Sequence, residues 1–213
     1  MATSRYLKRY EDGDRINHWL IAMLFFAAGL SGLTFFHPSL FFFSNLFGGG
    51  PWTRILHPFL GVAMFLAFFL LFVKLWRDNV LKPVDAEWMK HIGEMAAGDK
   101  SKMPPVGKYN AGQKLVFWVF AISLVVLVLT GIVFWRPWFA GYFPITLIRI
   151  ATLLHAAAAV GLILSVITHI YAAIWVKGTV RAMTRGDVSE AWARQNHPLW
   201  HREMTGEPLR TKP

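Results

Sequence analysis

The stretch Ile145–Val176, ITLIRIATLLHAAAAVGLILSVITHIYAAIWV, decides how this chain is read. It is 32 residues of nearly unbroken apolar character, long enough to cross the hydrocarbon core of a bilayer, which takes roughly 20 residues, and to tilt or extend beyond it. Two histidines, His155 and His169, lie deep inside it. Fourteen residues of helix rise about 21 Å and fall only about 40° short of whole turns, so both imidazoles leave one face at two depths. A membrane helix rarely carries two ionisable groups on one face without a reason.

Three further runs reach the same length, near residues 17–36, 55–76 and 115–135. Backbone in hydrocarbon satisfies itself only as helix or closed barrel, and runs this long mean helices. The expected fold is all-α: a polytopic membrane protein, a bundle of four transmembrane helices forming a single domain over residues 1–213. An inner loop spans 77–114 and a polar tail spans 177–213. Arg5, Lys8 and Arg9 precede the first run in the manner of a signal peptide. That run is too long, and no small-residue cleavage site follows, so it reads as a retained helix.

The net charge of +10 sorts by position. Of 22 Lys and Arg, the outer loops hold Arg54, Arg136 and Arg149 alone; the rest lie in the head, the inner loop with Lys74, and the tail. This is the positive-inside pattern, placing both termini in the cytoplasm and the chain in a bacterial inner membrane. The basic excess is thus a topology signal with anionic lipid as an added contact, and no nucleic-acid partner is implied. All 12 Asp and Glu share that inner side, which argues against a proton-coupled transporter. With no cysteine, disulfides, thiolate-bound iron–sulfur clusters and thioether-linked haem are excluded.

Depth pairs the histidines. The first helix runs outward, so His18 is at its inner end. The second and fourth run inward, so His57 and His155 are near the outer face and His169 is deep. His57 matches His155, and His18 matches His169. A single membrane histidine is ordinarily a helix–helix hydrogen bond. Four that pair by depth point instead to two haems, each held by two neutral imidazoles. Zinc would need its ligands around one ion, which a 21 Å separation forbids. Small residues at Ala27–Gly29, Gly32, Ala156–Ala159 and Gly161 suit either a flat macrocycle or close helix packing. The three outer arginines fit haem propionates or the interface equally well. His37 reads as structural, and His91, His197 and His201 as solvated or partner-facing. In the inner loop a short helix near Val84–Met95 would turn Trp88, Ile92 and Met95 toward lipid or a partner, leaving Asp85, Lys90 and Glu94 wet. No internal repeat is apparent.

Several segments together resemble the membrane cytochrome b (gamma) subunit of respiratory formate dehydrogenase. They are Asn17-His18-Trp19, Arg54-Ile55-Leu56-His57-Pro58-Phe59, Val106-Gly107-Lys108-Tyr109-Asn110-Ala111-Gly112-Gln113-Lys114, Thr130-Gly131, Trp135-Arg136-Pro137, Leu154-His155-Ala156-Ala157, His169, Trp175-Val176-Lys177-Gly178 and His197-Pro198-Leu199-Trp200. The resemblance implies two non-covalent b haems, with axial ligands His57 and His155 outside and His18 and His169 inside. It also implies a menaquinone or ubiquinone site at Asn110, Gly112, Gln113 and His169. Its partners would be an iron–sulfur (beta) subunit with a membrane anchor helix and a molybdenum or tungsten catalytic (alpha) subunit, in a complex that admits a higher oligomer. The chain itself carries no motif for oxidising formate. Rival readings are the cytochrome b of a nickel–iron hydrogenase or thiosulfate reductase, and, in a different class, a haem-free membrane anchor. Asp85, Glu87, Glu94 and Asp99 are candidates for helping protons arrive.

Overall fold

The structure, a computed structural model, describes residues 5–99 and 101–209. Residues 1–4 of the head, Lys100 of the inner loop and 210–213 of the tail lie outside the described residues. Four long helices carry the apolar runs: α1 (Asp12–Phe36), α2 (Gly50–Leu75), α5 (Ala111–Phe134) and α6 (Ile145–Trp175). Each is long and apolar enough to span a membrane. Between α2 and α5 lie α3 (Pro83–Lys90) and α4 (Ile92–Ala96). After α6 come α7 (Thr179–Arg185), α8 (Glu190–Asn196) and α9 (Pro198–Thr205).

Polar capping carries three of the long helices beyond their apolar runs. α1 starts with Asp12 and Asp14 in its first turn, where carboxylates face the positive end of the helix dipole. The Asp14 carboxylate accepts from the Glu11 N–H at 3.2 Å. α2 starts at Gly50, with Pro51 in its first turn, where a missing N–H costs nothing. Gly48 and Gly49, with φ of 83° and 93°, turn the chain into it from a 3₁₀ segment at Pro38–Phe47 that His37 caps. α5 starts at Ala111 through a reciprocal cap: Gln113 N–H donates to Asn110 Oδ1 and Asn110 N–H to Gln113 Oε1, each at 3.0 Å.

The residues gather into two compact units. One holds Ile16–Val73 and Val119–Thr168. Small or polar residues make up much of its interior, with Ala28, Ser31 and Thr34 on α1, Thr53 and Ala67 on α2, and Ala121 and Thr130 on α5, beside the larger Met64, Phe68, Leu124 and Leu162. Leu20, Met23, Phe26, Leu70, Ile122, Leu129, Leu153 and Leu164 face outward. A water-soluble bundle would reverse this; in lipid, small interior residues let helices approach while bulky apolar ones meet the acyl chains. Asn17 Nδ2 donates to Ala67 O at 2.9 Å, tying α1 to α2.

The other unit comprises the head through Arg15, Lys74–Trp118 and the chain from His169 onward. Here the all-α expectation meets an exception. Strand β1 (Tyr6–Lys8) pairs antiparallel with β2 (Asp187–Ser189), Leu7 opposite Val188. Both central residues are buried while their neighbours point out, the period of two that a half-buried strand requires. Leu7 and Val188 join Ala182, Trp192, Ala193 and Trp200 in one core, and Trp88, Val106 and Ala111 form a second. Arg9 is buried beside the rings of Trp200, Trp192, Tyr109 and Tyr10, 4.8–5.8 Å from their centres, and donates to Lys108 O at 2.5 Å. These contacts correct the solvated reading of the tail: His197 is 1% and His201 3% exposed. His197 Nδ1 lies 2.8 Å from Gly107 O, and His201 Nε2 lies 3.3 Å from Glu190 Oε1. The inner-loop helix is corrected too, because Asp85 and Trp88, read as wet and partner-facing, are each 4% exposed. Of the three apolar residues only Ile92 is exposed, while Lys90 is exposed as read.

Candidate functional site

In the membrane unit α2 brings His57 and α6 brings His155 together, both half-buried, with ring centres 6.2 Å apart. A single metal held between two imidazoles on opposite sides of it would set their ring centres about that far apart. Two metal–nitrogen bonds of about 2.0 Å, and about 1.1 Å from each nitrogen to its ring centre, span about 6.2 Å.

The hydrogen bonds fix how each ring is presented. Ser31 on α1 lies 2.9 Å from His57 Nδ1, and Thr130 on α5 lies 3.0 Å from His155 Nδ1. A hydroxyl has one proton to give. Ser31 gives it to Ala28 O at 2.9 Å and Thr130 to Val126 O at 2.6 Å. Toward imidazole each hydroxyl therefore accepts, and Nδ1 carries the hydrogen. Nε2 keeps its lone pair, the state an iron ligand needs.

Each hydroxyl is followed by a glycine beneath the same ring. A Cβ on Gly32 would stand 3.0 Å from His57 Cε1, and one on Gly131 would stand 3.5 Å from His155 Cε1. Three residues further, Phe35 meets His57 edge-on at 6.0 Å and Phe134 meets His155 at 5.1 Å. The cradles are one pattern used twice: Ser31-Gly32-Leu33-Thr34-Phe35 and Thr130-Gly131-Ile132-Val133-Phe134. This hydroxyl-Gly-x-x-Phe repeat was the missing signal for Ser31, and for the role of Thr130. Thr130→Val removes the acceptor while keeping the shape. We expect it to weaken haem retention roughly 10–100-fold, as loss of a ligand-orienting partner does. Haem-to-protein ratio during detergent dilution measures this.

His18 lies on α1 in the membrane unit and His169 on α6 in the inner unit, both half-buried. Asn110, Gly112 and Gln113 form the first turn of α5, where the cap engages both side-chain oxygens. Each NH2 group is then turned away from the backbone, a donor pair suited to carbonyl oxygens. Gly112 leaves room for the Trp88 ring: a Cβ there would stand 3.3 Å from Trp88 Cη2, so the indole would have to give by a few tenths of an ångström. The neighbouring Tyr109 hydroxyl is buried, which pushes its pKa far above the usual phenol range and keeps it protonated. On the exposed rim Lys90 and Lys102 hydrogen-bond Glu87 and Glu94 and lower their carboxyl pKa values, while His91 lies between those two carboxylates. Arg54, Arg136 and Arg149 are all exposed.

The model describing prokaryotic cytochrome b561 matches residues 9–186. The chain belongs to that family. It is thus a multi-pass bacterial membrane cytochrome b, and membership implies haem b and electron transport. Among curated relatives, the cytochrome is 42% identical over 204 residues to the protein named formate dehydrogenase, nitrate-inducible, cytochrome b556(Fdn) subunit of Escherichia coli K12. That match covers 96% of this chain and 94% of the relative. It is 45% identical over 196 residues to the formate dehydrogenase cytochrome b556(fdo) subunit of the same strain, covering 92% of each. With the formate dehydrogenase cytochrome b556 subunit of Haemophilus influenzae it shares 39% over 195 residues, covering 92% of this chain and 82% of that one.

Proposed function

We propose that this cytochrome is the dihaem membrane subunit of a formate dehydrogenase. Haem b, when bound, supplies one-electron transfer. His57 and His155 hold the centre nearer the outer face, where an iron–sulfur partner subunit delivers electrons from a molybdenum or tungsten subunit that oxidises formate. His18 and His169 hold the centre nearer the cytoplasm. Asn110 and Gln113 donate their side-chain N–H groups to the oxygens of menaquinone or ubiquinone, Gly112 lets the ring approach the backbone, and His169 adjoins it. With both termini cytoplasmic in the inner membrane, quinone takes its protons from the cytoplasm, and inward electron flow contributes to a proton gradient.

The observation that carries this reading is the pair of imidazoles with ring centres 6.2 Å apart, each with Nδ1 within 3.0 Å of a hydroxyl from a neighbouring helix. Its direct test is a dithionite-reduced minus air-oxidised spectrum of the purified protein. We expect a b-type α-band and, from extracted haem, about two haems per chain. A preparation without that band leaves a haem-free membrane anchor. The names of the relatives favour formate over hydrogen or thiosulfate as the linked substrate. Copurification with an iron–sulfur subunit and a formate-oxidising subunit decides the partner.

A further inference from the structure

We propose that Asp85 and Lys114 form the internal proton donor of the quinone site, an inference that rests on the reading of Asn110, Gly112 and Gln113 above. Among the described residues this is the most deeply buried ion pair. Lys114 Nζ and Asp85 Oδ2 are 2.8 Å apart, with side-chain exposures of 5% and 6%. Lys114 also donates to Val80 O at 3.1 Å, and Asp85 Oδ2 accepts from Lys82 N–H at 2.7 Å. Asp85 Oδ1 is buried with no hydrogen-bond partner.

Position links the pair to the quinone turn. Lys114 is in the first turn of α5, its N–H bonded to Asn110 O at 3.0 Å. Asp85 lies on α3 one turn before Trp88, whose ring edge rests against Gly112. Trp118 Nε1 donates to Asn79 O at 2.9 Å and holds the segment before α3 against the same helix. Nearby charged groups include Asp78 and Lys108, paired with each other at 2.9 Å, Arg9 against Lys108 and Tyr109, and Lys82, Glu87 and Lys90 at and along α3.

Capping α3 does not explain the arrangement. The cap uses only Oδ2, which asparagine would supply without burying a charge. An unpartnered carboxylate oxygen is costly in a protein interior and is retained where a water or proton is to be received. Reduction of one quinone to quinol consumes two electrons, supplied singly by reduced haem b, and two protons, one to each oxygen. Lys114 Nζ gives its proton to the Asp85 carboxylate. The carboxylic acid so formed turns its O–H to the Oδ1 side and releases the proton through water to a quinone oxygen, once for each of the two protons. The pair is then reprotonated from cytoplasmic water.

The test uses the intact membrane complex. Asp85→Asn keeps the cap and Lys114→Arg keeps the positive charge, but neither new side chain gives up a proton near neutral pH. Both should retain haem content and formate-driven haem reduction. Quinol formation should slow about tenfold or more, with a larger solvent deuterium isotope effect. Asp85→Glu should restore most of the rate. A carboxyl band in the redox-induced infrared difference spectrum should vanish in Asp85→Asn. Wild-type quinol formation and an unchanged isotope effect in Lys114→Arg overturn the proposal, even if Asp85→Asn does not assemble. If Asn110→Asp and Gln113→Glu leave quinone turnover intact, the quinone-site reading itself has failed; if they slow it while Lys114→Arg does not, only the proton donor is wrong.

Discussion

If two haems are held as proposed, His155→Ala is expected to remove the one paired with His57 and leave the other. Once Nε2 of residue 155 is gone, one axial position is vacant, and the cradle that served it is empty. Thr130, Gly131 and Phe134 would then surround a void rather than an imidazole. A single histidine on α2 retains the macrocycle much less firmly. The loss should exceed the roughly 10–100-fold that removing a supporting partner costs, because here the ligand itself is lost. A redox titration should resolve one b component in place of two, and formate-driven quinone reduction should collapse for want of an entry point. Quinol-driven reduction of the remaining haem should persist. His57→Ala should behave alike, since its cradle has the same parts. Loss of the inner component from either variant, with the outer retained, would reverse the depth assignment.

Asn110→Asp and Gln113→Glu should come next in size, and they separate two roles that alanine would confound. In the structure both side-chain oxygens cap α5, so alanine would cost about 1 kcal/mol of helix stability whatever else it did. The acids keep the capping oxygen, and a carboxylate at a helix N-terminus is favourable. What they lose is the NH2 donor turned toward the proposed quinone. An unmet carbonyl in a desolvated site costs about 1–3 kcal/mol, or roughly 5- to 150-fold in turnover with quinone. Haem content and haem reduction should not change. Wild-type turnover in both variants would move the quinone to another part of the chain.

The four long helices were legible because lipid exposure writes itself into composition. α6 stands at Ile145–Trp175, against an apolar run of Ile145–Val176. The starts of α1, α2 and α5 were less legible, because polar caps at Asp12, Gly50 and Asn110 extend helices past their apolar letters. Burial in the inner segments was not legible at all. His197 is enclosed through Gly107, Asp85 through Lys114, and Arg9 through rings spread from Tyr10 to Trp200. Local pattern carries no trace of such distant partners. Ser31 and Thr130 occupy a middle ground. Their repeat was present in the letters, yet it gains meaning only once His57 and His155 are known to sit above it.

The ribbon of β1 and β2 also dictates an order of biosynthesis. Leu7 leaves the ribosome about 180 residues before Val188, its partner in the ladder. At bacterial or slower translation speeds of about 5–20 residues per second, the first strand waits roughly 9–36 s for its mate. All four apolar segments are translated in that interval. Closure of the ribbon, and of the aromatic enclosure around Arg9, is consequently a late event that only a full-length chain achieves. A product truncated before β2 would leave the first strand without its ladder partner and Arg9 without the rings of Trp192 and Trp200.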